Sequence, residues 1–200
     1  MDEADDFCSL LEVLVANLRV VWDNIQLVLG EVEDIRSRPQ IQRPEFKIRD
    51  DKDVVFKAVT SDVPDLITIN GTLAESPHTQ KGASLNYLFR RGQPFKGEPS
   101  LSWHINLERA EIRLLSPGGT SISVGAFPEP IVIEVHDFAT DEVRKVEWQW
   151  VDWLDQLPPI SRGIGALYDD FADGNKGEKR YASFDDAVAR HAQLDKALSG

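Results

Sequence analysis

Between residues 44 and 151 the chain carries a succession of short apolar segments set too close together for helices to fit between them. They read "PEFKIRD", "VVFKAVT", "DLITING", "SLNYLFRR", "LSWHINL", "AEIRLLS", "SISVG", "IVIEVHDF" and "VRKVEWQWV". Turn signals divide them: Gly71, "RGQPFKGEP", "ERAE", "SPGGT" and "FPEP". A parallel strand pair needs a crossover of about a dozen residues or more, usually a helix. Connections this short predict a mainly antiparallel sheet.

Helices flank the strands. Phe7, Leu10, Leu11, Leu14, Leu18, Val21, Trp22, Ile25, Val28 and Leu29 recur at steps of three and four, which predicts an amphipathic helix over residues 7–30 closed by Gly30. Asp5 and Asp6 stand near its start, where the helix dipole favours negative charge. A polar turn is expected around "RSRPQ". At the other end, "PPISRGIGALYDDFADG" has an apolar stripe at Ile160, Ile164, Leu167, Tyr168 and Phe171, ending at Gly174. "SFDDAVARHAQLDKAL" follows, with Ser183 placed to cap it and Asp186 three residues on. The order is helix, sheet, two helices. The expected architecture is a single α+β domain over residues 1–200, with a large antiparallel sheet, helices on one face, and the other face free for dimerisation or a ligand.

Charge narrows the partners. The net charge is −12, so phosphate backbones and anionic membrane surfaces are disfavoured, and neither nucleic acid nor membrane is expected as a partner. The acidic start "MDEADDF" is unlike a signal peptide, and no apolar run approaches the roughly 18 residues of a membrane span. One cysteine, Cys8, cannot pair within the chain. These features together point to the cytoplasm.

In order along the chain, "GTLAE", "LFRRGQPFKGEPSLSWHI", "AEIRLLSPGG", "IEVHDF", "RGIGALYDDFADG" and "YASFDDAVARHAQLD" resemble the C-terminal domain of the glucose-fructose oxidoreductase and inositol dehydrogenase family. The likeness is greatest to its fungal branch that includes the galactose-pathway repressor. "DNIQLVLGE" resembles that domain's early helix. The resemblance runs over residues 20–197, leaving residues 1–19 as an N-terminal extension and helix start. It implies the family's fold but not its redox chemistry. No G-x-G-x-x-G turn for a dinucleotide pyrophosphate occurs, and the family's Lys-Pro motif belongs to a half not seen here. Val20 stands where family enzymes usually carry a proton-transferring histidine, three residues before Asp23. No cofactor is expected, and the Met1 start with its acidic stub reads as a self-standing protein.

A sheet without its Rossmann neighbour has an apolar surface to cover. Pairing of two sheets face to face in a homodimer is the simplest cover, and the pairing could enclose a small ligand. Alternation supplies the candidate residues. On "LSWHINL", Ser102, His104 and Asn106 share one side, with Leu101, Trp103, Ile105 and Leu107 on the other. On "SLNYLFRR", Leu85, Tyr87, Phe89 and Arg91 share a side. His104, Tyr87 and Asn106 are the candidate catalytic groups. Asn70, Arg91, Trp103, Trp148 and Trp150 are the candidate substrate contacts, the last two as a pair on one strand face. Each has an ordinary alternative: a solvated strand histidine, a surface arginine, tryptophans packed at a subunit interface. His136 lies beside Asp137, but neighbouring strand residues face opposite ways. His78 and His191 read as exposed, and Cys8 as a small buried hydrophobe. Four scattered histidines and one cysteine give no metal-ligand pattern.

The expected function is a cofactor-independent cyclase or isomerase acting on a small unsaturated metabolite, in fungal specialised metabolism. A binding or regulatory module, or a dimerising subunit, is the alternative. A fragment of an NAD(P)-dependent oxidoreductase is the lesser one.

Overall fold

The computed structural model describes residues 18, 21–50, 52, 54–119, 130–173 and 183–199. Phe7, Cys8, Leu10, Leu11, Leu14, Val20, "SISVG" and Gly174 lie outside the described residues. The chain divides into two units, Met1–Gly92 with Phe184–Gly200, and Gln93–Ser183.

In the first unit, helix α1 (residues 21–29) buries Val21, Trp22, Ile25 and Gln26, one turn beyond the buried Leu18. Val28 faces outward, so the apolar stripe is narrower than the sequence pattern drew it. Gly30 ends the helix at φ 91°, its N–H donating to the Gln26 carbonyl at 2.9 Å. A side chain is strained at that dihedral, and glycine is not. The buried Thr79 hydroxyl donates to the Leu29 carbonyl at 2.6 Å, satisfying another helix-end acceptor.

The segment expected as a turn around "RSRPQ" is a strand. β1 (Val32–Gln40) pairs antiparallel with β4 (Leu66–Leu73), which pairs antiparallel with β5 (Ser84–Arg90). The register of β1 shifts between Glu33 and Arg36, and Asp34 sits in this bulge at φ 48°. One extra residue puts the buried Val32 and Ile35 three apart rather than two, so the strand does not show the period that marks strands. Ser37, Ile67, Ile69, Leu85, Tyr87 and Phe89 lie on one face. Trp22 of α1 meets Tyr87 there edge-on, ring centroids 6.4 Å apart. Ser37 Oγ donates to the Ala197 carbonyl of helix α4 (Phe184–Ser199) on the same side. Both helices therefore cover one face. The other presents Arg36, Arg38, Asn70, Asn86 and Leu88 to solvent.

Helix α4 is tied to α1 and β1 through polar groups. Arg190 donates to Glu31 through Nη1 (2.7 Å) and Nη2, to Gln26 Oε1 (2.9 Å) and to Gln193 Oε1 (3.2 Å). Gln193 Oε1 also accepts from Trp22 Nε1 (3.0 Å) and Gln26 Nε2 (2.8 Å), and Gln26 Oε1 accepts from Val32 N–H (3.1 Å). Hairpin β2 (Glu45–Arg49) and β3 (Val55–Thr60) completes the unit, with Asp50 Oδ1 accepting from Lys52 and Val54 N–H in its turn.

The second unit carries the antiparallel meander β6 (Leu101–Asn106), β7 (Ala110–Ser116), β8 (Val132–Asp137) and β9 (Glu142–Lys145). After it come the single turn α2 (Asp152–Asp155) and helix α3 (Pro159–Ala172). Pro159 occupies the first position of α3, where its missing N–H has no intrahelical partner to lose. Gly165 lets α2 come close: a Cβ there would stand 2.8 Å from both Leu154 and Leu157. The α3 stripe of Ile164, Leu167, Tyr168 and Phe171 is exposed, Phe171 by 73%. Among the described residues all strand pairing is antiparallel, and the architecture is α+β as expected.

A further expectation is corrected. Trp148 and Trp150 do not sit on a strand, because β9 stops at Lys145 and residues 146–151 are irregular. The last rung is Val146 N–H to the Ile133 carbonyl at 2.8 Å. The alternation in "EWQW" resembles a strand, but no ladder continues to hold it.

Candidate active site

Residues directly opposite on antiparallel strands share a face. In β6–β7 the opposed pairs are Ser102 with Leu115, His104 with Arg113, and Asn106 with Glu111. In β7–β8 they are Leu115 with Val132, Arg113 with Glu134, and Glu111 with His136. One side of the sheet thus collects Ser102, His104, Asn106, Glu111, Arg113, Glu134 and His136 around the apolar pair Leu115 and Val132. The opposite side carries Trp103, Ile105, Ile112, Leu114, Ile133 and Val135.

His104 is held at both ring nitrogens. Nδ1 lies 2.9 Å from Glu111 Oε1, and Nε2 lies 3.0 Å from Ser102 Oγ. An ionised carboxylate only accepts, so the neutral ring that fits this geometry carries its proton on Nδ1 and donates it to Glu111. Neutral Nε2 is then an acceptor, and the Ser102 hydroxyl donates to it. The side chains of His104 and Glu111 are 48% and 34% exposed, so the group is open to a ligand from solvent. Arg113 stands directly across from His104 and diagonal to Ser102. It donates to Glu134 Oε2 through Nε (3.1 Å) and Nη2, two of the five N–H groups a guanidinium offers. Nearby, His136 Nε2 bonds Asp141 Oδ1 at 2.8 Å, and its ring meets Phe138 edge-on at 5.4 Å. Asp137, its sequence neighbour, instead caps the following turn through Ala139 N–H at 2.8 Å.

Of the residues singled out from the sequence, His104 and Asn106 share this face. Trp103 points to the other side of the same strand. Tyr87 lies in the first unit, half-buried against Trp22, and burial pushes its phenol well above the usual range, so it stays protonated. Asn70 is on the solvent face of β4, its Nδ2 donating to Asn86 Oδ1 at 2.6 Å, which is the opposite side of that sheet from Tyr87. Arg91 follows β5, its N–H bound to the Asp65 carbonyl at 2.8 Å and its own carbonyl accepting from Arg43 Nη1 at 2.7 Å. Ser102 and Glu111 complete the His104 group; the sequence pattern places Ser102 on the His104 face without a role and does not point to Glu111. Among the described residues no group of three or more His, Cys, Asp or Glu side chains is placed to hold a metal ion. No helix among them is long and apolar enough to cross a membrane.

No family model matches the sequence, and no curated protein does. Solved structures match. A super-repressor mutant of Gal80p from Saccharomyces cerevisiae superposes with TM-score 0.68 at 16% identity, over 92% of this chain and 46% of that one. The chain has the fold of part of Gal80p. The transcriptional regulator Gal80p from Kluyveromyces lactis gives TM-score 0.65 at 14% identity, over 90% of this chain and 41% of that one. A second Saccharomyces cerevisiae super-repressor mutant of Gal80p gives TM-score 0.61 at 16% identity, over 90% and 45%. The chain spans less than half the length of these Gal80p chains, the coverage of a C-terminal domain. Gal80p has the glucose-fructose oxidoreductase and inositol dehydrogenase fold, the fold that the order of motifs in the sequence implies. At these identities the likeness to Gal80p is one of fold.

Proposed function

We propose that the chain is a cofactor-independent enzyme, an isomerase or cyclase for a small unsaturated carbonyl compound, with His104 as the proton-transfer group. The observation that carries this reading is the paired restraint of His104 by Glu111 and Ser102 at 2.9 and 3.0 Å. Glu111 fixes the ring tautomer and stabilises the imidazolium formed when the base accepts a proton. A carbon-bound proton next to a carbonyl can pass to Nε2 once a substrate displaces the Ser102 hydroxyl. The same proton returns at the far end of the conjugated system, which moves the double bond. Arg113 places positive charge beside the developing enolate oxygen, and Asn106 offers an amide to orient the substrate. Among the described residues His104 and Glu111 are part-exposed, and this chemistry needs water excluded. A second copy of the chain laid over this sheet supplies the cover in our reading, and the exposed stripe of α3 gives such a homodimer further apolar area.

The test is deuterium uptake. The purified chain is incubated in heavy water with β,γ-unsaturated ketones, and carbon-bound deuterium and double-bond migration are followed by NMR. The wild type should exchange the proton next to the carbonyl, and His104→Ala should not. Exchange that is absent throughout, or equal in the two proteins, refutes the reading.

A second reading takes its motive from the fold neighbours, which are described as a transcriptional regulator and as super-repressor mutants. In it the chain is a binding or regulatory module that works through its uncovered faces. His104→Ala would then leave its function intact.

A further inference from the structure

We propose that Ser102 is an acyl-accepting nucleophile, so that this sheet face cleaves small carboxylic esters. The proposal uses His104 but does not rest on the isomerase reading. It stands on a chain of three side chains: Ser102 Oγ at 3.0 Å from His104 Nε2, and His104 Nδ1 at 2.9 Å from Glu111 Oε1. Nucleophile, base and orienting carboxylate are thereby in sequence, each within hydrogen-bond reach of the next. The same arrangement of roles recurs on unrelated folds, so it is recognised by geometry.

The topology sets the arrangement. Ser102 and His104 are two apart on β6, hence on one face, and Glu111 reaches His104 diagonally from β7. Three elements of the surroundings fit an ester. Arg113, diagonal to Ser102, keeps N–H groups beyond the two bound to Glu134 for an oxyanion. Leu115, directly opposite Ser102, and Val132 beside it form an apolar row that suits a short alkyl acyl group. Asn106 lies on the other side of His104, toward the leaving group.

The chemistry balances with water as the only co-reactant. Ser102 Oγ bonds to the ester carbonyl carbon as its proton passes to His104 Nε2. The C–O bond to the alcohol then breaks, and the His104 proton goes to the departing alkoxide. Water attacks the acyl-serine with His104 again taking a proton, which it returns to Ser102 Oγ as the carboxylic acid leaves.

The full chain is treated with an alkyl fluorophosphonate, and the labelled residue is identified by peptide mass spectrometry. Attack forms the Oγ–P bond, breaks P–F, releases fluoride and leaves the proton on His104. Label is expected on Ser102, none at that position in Ser102→Ala, and labelling slower by about 10²- to 10⁴-fold in His104→Ala, the range of a general base. Glu111 is a positioning residue. Glu111→Gln should slow labelling by about tenfold or more, and Glu111→Asp should restore part of it, with unchanged circular dichroism in both. All three side chains are surface groups, so these variants should fold. Label spread over other hydroxyls without preference for Ser102, or equal rates in wild type and His104→Ala, overturns the proposal. The probe reads a serine and the deuterium experiment reads a substrate carbon, so the two proposals can fail separately.

Discussion

Replacing Arg190 by methionine removes the charge that joins α4 to α1 and β1 while keeping much of the apolar stem. A buried ion pair broken on one side typically costs about 3–5 kcal/mol, because a charge is stranded. That figure does not apply here. Glu31 is 58% exposed, so water can solvate it once Arg190 is gone, and the pair itself is worth no more than about 1 kcal/mol. The two glutamine oxygens lose a donor but are not orphaned. Gln26 Oε1 keeps Val32 N–H, and Gln193 Oε1 keeps Trp22 Nε1 and Gln26 Nε2. The loss of hydrogen bonding at the joint adds about 1 kcal/mol. The expected destabilisation is therefore about 1–2 kcal/mol, read as roughly 5- to 30-fold faster hydrogen exchange in the β4 amides if these open with the unit.

The effect has a pH signature. The hydrogen bond from Arg190 holds the Glu31 carboxyl below its ordinary value of 4.5, against an opposing contribution from burial. A depressed carboxyl contributes stability that is complete above its unfolded value and is lost as pH falls through the folded one. Arg190 is held charged by Glu31 and does not titrate in that window. The gap between wild type and variant should hold steady from pH 7 to about 5.5 and narrow toward pH 3. A gap well above 3 kcal/mol, or one unchanged at pH 3, refutes the reasoning.

Two core substitutions follow from the first unit. Gly71→Ala puts a Cβ 2.7 Å from Val32 Cγ1 and 3.0 Å from the Glu33 carbonyl, inside the β1 bulge. The usual strand benefit of alanine over glycine is thus reversed, and a loss of about 1–3 kcal/mol is expected by urea unfolding; an unchanged midpoint contradicts the bulge packing. Ile69→Ala empties a side chain that is 0% exposed and should cost about 2–5 kcal/mol, against less than about 0.5 kcal/mol for Thr68→Ala on the solvent face.

Much of this architecture was legible in the sequence, and the failures have physical causes. Ile67 and Ile69 against Thr68 and Asn70 gave β4 its faces, because a strand buried on one side alternates strictly. The strand β1 was invisible for the converse reason. Its bulge at Asp34 breaks the period, and Arg36 and Arg38 fill its solvent side. "EWQW" has the period without a partner strand, so its pattern points to a strand that does not form. Alternation alone puts His104 and Asn106 on one face, since both lie on one strand. Glu111 needs the register of a second strand. The short loop at residues 107–109 held that information: it sets Asn106 opposite Glu111 and thereby Glu111 diagonal to His104.

The state of the His104 ring tests the centre of this account most directly. In ¹⁵N-labelled protein, two-bond nitrogen–proton correlations distinguish which ring nitrogen carries the proton. In the neutral ring the proton is expected on Nδ1, with Nε2 free to accept from Ser102, and that preference should be lost in Glu111→Gln. A ring protonated at Nε2, or a tautomer mixture that Glu111→Gln leaves unchanged, would contradict it.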